Sequence, residues 1–161
     1  MMKRRILFVF FLSIIVVSCA RVNPPAQEGD SALSYGKALM NEGKMTLAIV
    51  EFKKALDFFN EAGYTYSAFS VYPYIARAYY LSDSRDEAIA TYIVALEYAK
   101  EHPEGVGSNN VADAMRELAG LLVEAKRIEE ARYVLMDAAE FYKKAENFEK
   151  LNEVMEELNG L

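Results

Sequence analysis

The sequence predicts an all-α solenoid, about three helix-turn-helix units in series with a capping helix at the C-terminal end. Two observations carry this expectation. The first is a set of three small residues and one bulky one that recurs with constant internal steps of 12, 4 and 3: Gly36, Ala48, Phe52 and Ala55, then Ala76, Ala88, Tyr92 and Ala95, then Ala119, Ala131, Leu135 and Ala138. Steps of 4 and 3 put side chains on one helical face, whereas a step of 12 is too long for one packed contact within a helix, so each set spans two helices clasped at small side chains. The second is an apolar pair flanking the first small residue of each set: Tyr35 and Leu39, Ile75 and Tyr79, Leu118 and Leu122. Gly and Ala make up about a fifth of the 161 residues, so nine small positions filled out of nine are hard to ascribe to chance.

Taken in order, helices are expected over 31–41, 46–61, 68–81, 85–101, 109–124, 128–144 and 148–158. Gly43 and Gly63 follow the first two, where a left-handed residue ends a helix without a Cβ penalty. Ser84 and Glu87 form a capping-box pattern ahead of the fourth. The stretch from His102 to Ser108, with Pro103, Gly105 and Gly107, reads as a connector; its Gly-Val-Gly-Ser run lacks the lysine and the preceding strand of a phosphate loop. Asn147 is placed to cap the last helix. That helix has Leu151, Val154, Met155 and Leu158 on one side and Glu149, Glu153 and Glu156 on the other, the polar-faced end a solenoid needs.

This arrangement resembles the tetratricopeptide repeat, in which small residues stand where two antiparallel helices touch. The Trp and Pro of that motif are absent, and the repeat steps here, 40 from Ala48 to Ala88 and 43 from Ala88 to Ala131, exceed the usual 34, so longer helices or loops are expected. The resemblance implies a concave groove lined by the first helix of each unit and used for protein or peptide partners. Its residues would be Lys37, Met40 and Asn41 from the first unit, Tyr74, Arg77 and Tyr80 from the second, and Asp113 and Arg116 from the third. Leu81 and Glu124 project on the same side. Lys37 and Arg77 resemble basic positions that hold a peptide's terminal carboxylate in some members of the family, but Gly120 takes the equivalent place in the third unit, so a generic peptide groove is the expectation. Tyrosines crowd the second unit; Tyr72, Tyr79 and Tyr92 fall on core positions, while Tyr74 and Tyr80 fall on or near the groove.

The amino terminus carries a separate signal. Lys3, Arg4 and Arg5 precede an apolar run from Ile6 to Val17 interrupted only by Ser13, shorter than the roughly 20 residues a spanning helix needs. The following Val16-Val17-Ser18-Cys19 resembles the lipobox of bacterial lipoproteins, which implies a signal peptide over 1–18 and a diacylglyceryl thioether on Cys19, the sole cysteine. Acyl chains at about 0.8 kcal/mol per buried methylene make such an anchor stable once two or more are present. Ala20, where Asp is absent, resembles the pattern of lipoproteins sent to the outer membrane of two-membraned bacteria, facing the periplasm. Residues 19–31 contain Pro24, Pro25 and Gly29 and are expected to form an extended tether reaching up to about 40 Å, with the repeat domain over 32–161.

Composition narrows the function. After removal of 1–18 the chain has 15 Lys and Arg against 24 Asp and Glu, a formal charge of −9, which argues against nucleic acid and against broad binding to anionic phospholipid. One histidine, His102, and one cysteine supply neither a His-based triad nor a Cys/His zinc site. Adjacent carboxylates such as Glu129 and Glu130, or Glu156 and Glu157, splay apart on a helix. The expectation is a non-enzymatic, membrane-anchored scaffold for a protein or peptide partner of the cell envelope, with no cofactor beyond the lipid. The rival is a small-ligand receptor whose tyrosine-rich second unit encloses a pocket and docks with a transporter component; self-association through the solenoid ends is weakened by the charged last helix.

Overall fold

The computed structural model describes residues 24–161, in which eight helices and no strands are found. They are α1 (Pro24–Asn41), α2 (Met45–Glu61), α3 (Thr65–Leu81), α4 (Arg85–Glu101), the single turn α5 (Pro103–Val106), α6 (Ser108–Glu124), α7 (Ile128–Lys144) and α8 (Phe148–Gly160). The closest backbone approaches run between helices that follow one another, with α4 against α6 across α5, which is the quasi-one-dimensional order of a solenoid.

The long repeat step has a simple origin. Helices α2, α3, α4, α6 and α7 each have 17 residues, and from α2 to α8, α5 aside, helix starts are 20 residues apart except for 23 between α4 and α6. A 40-residue unit is therefore two 17-residue helices and two three-residue turns, and the step of 43 contains the insertion of α5. Longer helices, with short turns, account for the excess over 34.

The turns share one geometry. The middle residue lies in the left-handed region: Gly43 (φ 76°), Gly63 (72°), Asp83 (58°), Lys126 (61°) and Glu146 (55°). The next residue donates its N–H back across the turn, Lys44 to Leu39, Tyr64 to Phe59, Ser84 to Tyr79, Arg127 to Leu122 and Asn147 to Tyr142, at 2.8 to 3.0 Å. That same residue accepts at its carbonyl from the fourth residue of the following helix, Ala48, Ala68, Ala88, Ala131 and Leu151. One residue thus closes a helix with its N–H and opens the next with its C=O. Asn147 adds the expected side-chain cap, accepting from Lys150 N–H. Ser84 does not: its side chain makes no capping bond, so the expected capping box is not formed and the junction rests on the backbone closure.

Three expectations are corrected. Residues 24–31 are not an extended tether but the first turns of α1, with Ala26 and Gly29 buried. Prolines are accommodated in a first turn, where the missing N–H has no intrahelical partner. Tyr35 is 57% exposed, although its counterparts Ile75 and Leu118 are buried. Ile75 packs into the cluster formed with α1 and α2, whereas the described residues include no helix before α1 to cover Tyr35. Met155 is also exposed, leaving Val154 as the fully buried anchor of α8. Cys19, the signal segment and residues 19–23 of the tether lie outside the described residues.

The twelve residues of the recurring set are all buried. Their contacts are close. A Cβ added at Gly36 would stand 2.6 Å from the Phe52 ring and 3.3 Å from the Ala48 carbonyl oxygen, and one at Gly29 would stand 2.8 Å from Phe59. The core forms two clusters, one uniting α1 to α3 and one running from α3 to α8, with Leu56, Tyr79 and Tyr98 packed against both.

Candidate partner-binding groove

Helix α3 presents Ser70, Pro73, Tyr74, Arg77 and Leu81 on one stripe, with steps of 3, 4 and 7 that repeat every two turns. The residues 43 later on α6 are Asp113, Arg116, Glu117, Gly120 and Glu124, and they occupy the same stripe of the next inner helix. Together with Lys150, Glu157 and Leu161 on the α8 side they enclose a groove of about 1380 Å³, floored by Phe69, Tyr92 and Leu135.

Five of the eight residues expected in the groove line it: Tyr74, Arg77, Tyr80, Asp113 and Arg116. Lys37 reaches it indirectly, its ammonium lying 4.3 Å from the centre of the Tyr74 ring. The Tyr74 ring in turn packs 5.6 Å from that of Phe52. Met40 is directed to the core cluster of α1 to α3, and Asn41, the exposed last residue of α1, is not among the groove walls.

Within the groove the charges divide sharply. Arg116 donates to Glu153 and Glu157 of α8, and these bonds, that to Glu157 foremost, hold its guanidinium firmly in the charged form. Asp113 accepts from the Tyr142 hydroxyl and from Lys150. Asp113 fastens α6 to both α7 and α8, and Arg116 fastens it to α8. At the other end Tyr80 donates to Glu124 at 3.3 Å, and Arg85 lies 3.7 Å from the same carboxylate. Arg77 is exposed and makes no hydrogen bond or ion pair to a side chain among the described residues. Burial raises the pKa of the Tyr92 hydroxyl beneath it, with Glu117 adding to the shift and Arg77 opposing it.

Two groove residues are poor helix formers. Pro73 lies inside α3 and leaves the Phe69 carbonyl without its usual helical donor. Gly120 lies inside α6, and a Cβ there would meet nothing within 4 Å. Unlike Gly36, it serves no internal contact. The tyrosines split between roles: Tyr72 and Tyr92 are buried, Tyr98 donates to Asn60 of α2 at 2.8 Å, and Tyr66 is exposed at the groove mouth. Ser70, Pro73 and Glu117 were not singled out from sequence, although the step of 43 from the third unit's residues points to two of them.

Among the described residues no helix is long and apolar enough to cross a membrane, and no cluster of three or more His, Cys, Asp or Glu could hold a metal ion. No protein-family model matches the chain, and no curated sequence matches it significantly. Solved structures do. The TPR domain of Arabidopsis FLU matches with a TM-score of 0.62 at 21% identity, over 77% of this chain and 99% of that one. Two structures of the TPR-like repeats of a Podosopora anserina putative kinesin light chain match with TM-scores of 0.56 and 0.55, at 15% and 14% identity, over 75% and 83% of this chain and 57% and 74% of theirs. The fold is an all-α, tetratricopeptide-like solenoid.

Proposed function

We propose that this protein is a scaffold held at a cell-envelope membrane by lipid on Cys19, and that its groove takes an extended segment of a protein or peptide partner, assisting assembly of an envelope complex. The observation that carries the groove reading is Gly120. A glycine inside an exposed helical stretch costs about 1 kcal/mol relative to alanine, and the fold gains no contact from it. An incoming main chain does gain, because the missing Cβ lets it lie against α6. Arg77, one helix away on the equivalent position, supplies an unpaired cation for a carboxylate or carbonyl of that segment. The anchor reading rests on the basic start, the short apolar run and the Val-Val-Ser-Cys border, and Ala20 favours the outer membrane in a two-membraned cell. No catalytic role or cofactor other than the lipid is part of this reading.

The test is crosslinking in living cells from a photoreactive residue at Tyr80, followed by mass spectrometry of the captured protein. Arg77→Glu combined with Tyr80→Ala is expected to abolish capture of that partner while leaving helicity unchanged; undiminished capture from a neighbouring groove position would move the site elsewhere. Cys19→Ala is expected to release the protein from the membrane fraction, and continued sedimentation with membranes would mean that the apolar segment itself is the anchor.

A further inference from the structure

Where α4 passes to α6, the three-residue turn found at the other junctions is replaced by α5. Its Val106 is 2% exposed, and a Cβ on its Gly105 would stand 2.7 Å from Thr65 of α3. The insertion fills the space beside the start of α3 and the end of α4, and next to it a cleft of about 480 Å³ opens between α4, α6 and α7. Not one of its walls is shared with the groove. The volume falls in the range of small-molecule sites, roughly 300 to 1,000 Å³.

The walls of this cleft are sorted by polarity. Ile93 and Leu96 of α4, Val111 and Met115 of α6 and Phe141 of α7 are apolar, and Ile93 is 43% exposed in consequence. Lys100 and Lys144 stand in the last turns of α4 and α7. These are the second helices of consecutive units and run in the same direction, so both ammonium groups lie at one end. Neither forms an ion pair with an acidic side chain among the described residues. Glu97, one turn before Lys100, is the sole acidic wall residue. In a chain of formal charge −6, an apolar cleft with a net positive end is the exception. The Gly105 to Ser108 run lacks a lysine of its own, and the fold brings two beside it.

We propose that this cleft binds a single-chain amphipath with an anionic head, the acyl chain lying along Ile93, Leu96 and Met115 and the head between Lys100 and Lys144. The shared chemistry is that of a free fatty acid and of a monoacyl phosphate lipid. The full chain in its membrane is photolabelled with a diazirine-bearing dodecanoate and the labelled peptides are mapped. Label is expected on α4 and α6 within the cleft, competed by dodecanoate or dodecyl phosphate but not by dodecan-1-ol; the better competitor of the two anions identifies the source. Lys100→Met with Lys144→Met is expected to raise the half-competing concentration about tenfold or more, the loss of one or more charge-assisted contacts. Leu96→Trp should fill the cleft and remove the label, and Ile93→Trp, at a half-exposed position, serves if the first variant misfolds. Label confined to other segments, equal competition by dodecan-1-ol, or label insensitive to the fillers overturns the proposal.

Discussion

Gly36 and Gly120 both lie inside helices, and replacing each by alanine separates backbone preference from packing. The substitution lowers the cost of helix formation by about 1 kcal/mol at either position. At Gly120 nothing lies within 4 Å of the new methyl group, so the full gain of about 1 kcal/mol is expected. At Gly36 the methyl group would meet the Phe52 ring at 2.6 Å and the Ala48 carbonyl at 3.3 Å. Phe52 is fully buried, so its ring has little room to turn aside, and overpacking of this kind costs about 1 to 3 kcal/mol. The net expectation for Gly36→Ala is therefore between no change and a loss of about 2 kcal/mol. At about 3 to 4 °C per kcal/mol for a domain of this size, the two variants should differ by several degrees in midpoint, Gly120→Ala above the parent and Gly36→Ala at or below it. Circular dichroism at 222 nm during heating and urea unfolding at fixed protein concentration read both. Equal stabilisation by the two substitutions would refute the tight clasp at Gly36. Gly120→Ala should also weaken partner capture through the groove, a loss of function with a gain of stability.

Glu146 holds a left-handed conformation that costs a side-chain-bearing residue about 1 kcal/mol, so Glu146→Gly should raise stability by up to that amount, read as a higher urea midpoint at unchanged slope. The alkaline limb of stability should be steep. Tyr92 and Tyr142 have hydroxyl pKa values raised chiefly by burial, with Glu117 adding to the first and Asp113 to the second. A pKa that is higher folded than unfolded gives stability that is complete below the unfolded value, near 10, and is lost as pH rises through the folded one, at up to about 1.4 kcal/mol per pH unit for each group. Tyr92→Phe should therefore flatten the fall in urea midpoint between pH 10 and 12, and an unchanged slope would show that its hydroxyl titrates alike in both states.

The alternation of helices was legible because clasp residues need small volume at fixed steps, and no other arrangement of Gly36, Ala76 and Ala119 with their partners satisfies both. The beginning of α1 was not, because adjacent prolines in isolation favour an extended chain. Counting the 20-residue register back from Met45 reaches residue 25, and Gly29 stands two helical turns before Gly36, so the information was present in the period. In the groove, the stripe on α3 was readable as a periodicity. That Asp113 and Arg116 would be occupied by Lys150, Glu153 and Glu157 was not, since these pairs are 37 to 41 residues apart and depend on how α8 crosses α6. The cleft behind α5 left only the difference between steps of 40 and 43, which counts residues without saying where they go.

Because each turn is closed by a single residue shared between two helices, the chain is modular in lengths of 20. A deletion or duplication of 40 residues anywhere between α2 and α4 would return the chain to the same phase, pointing the same way, with the clasp and turn chemistry intact. A change of 20 would instead reverse the direction of every later helix and exchange inner for outer faces. Unequal recombination in pairs of helices would therefore lengthen or shorten the groove, while α5, the one piece out of step among the described residues, marks the junction that such exchange cannot copy without copying the cleft.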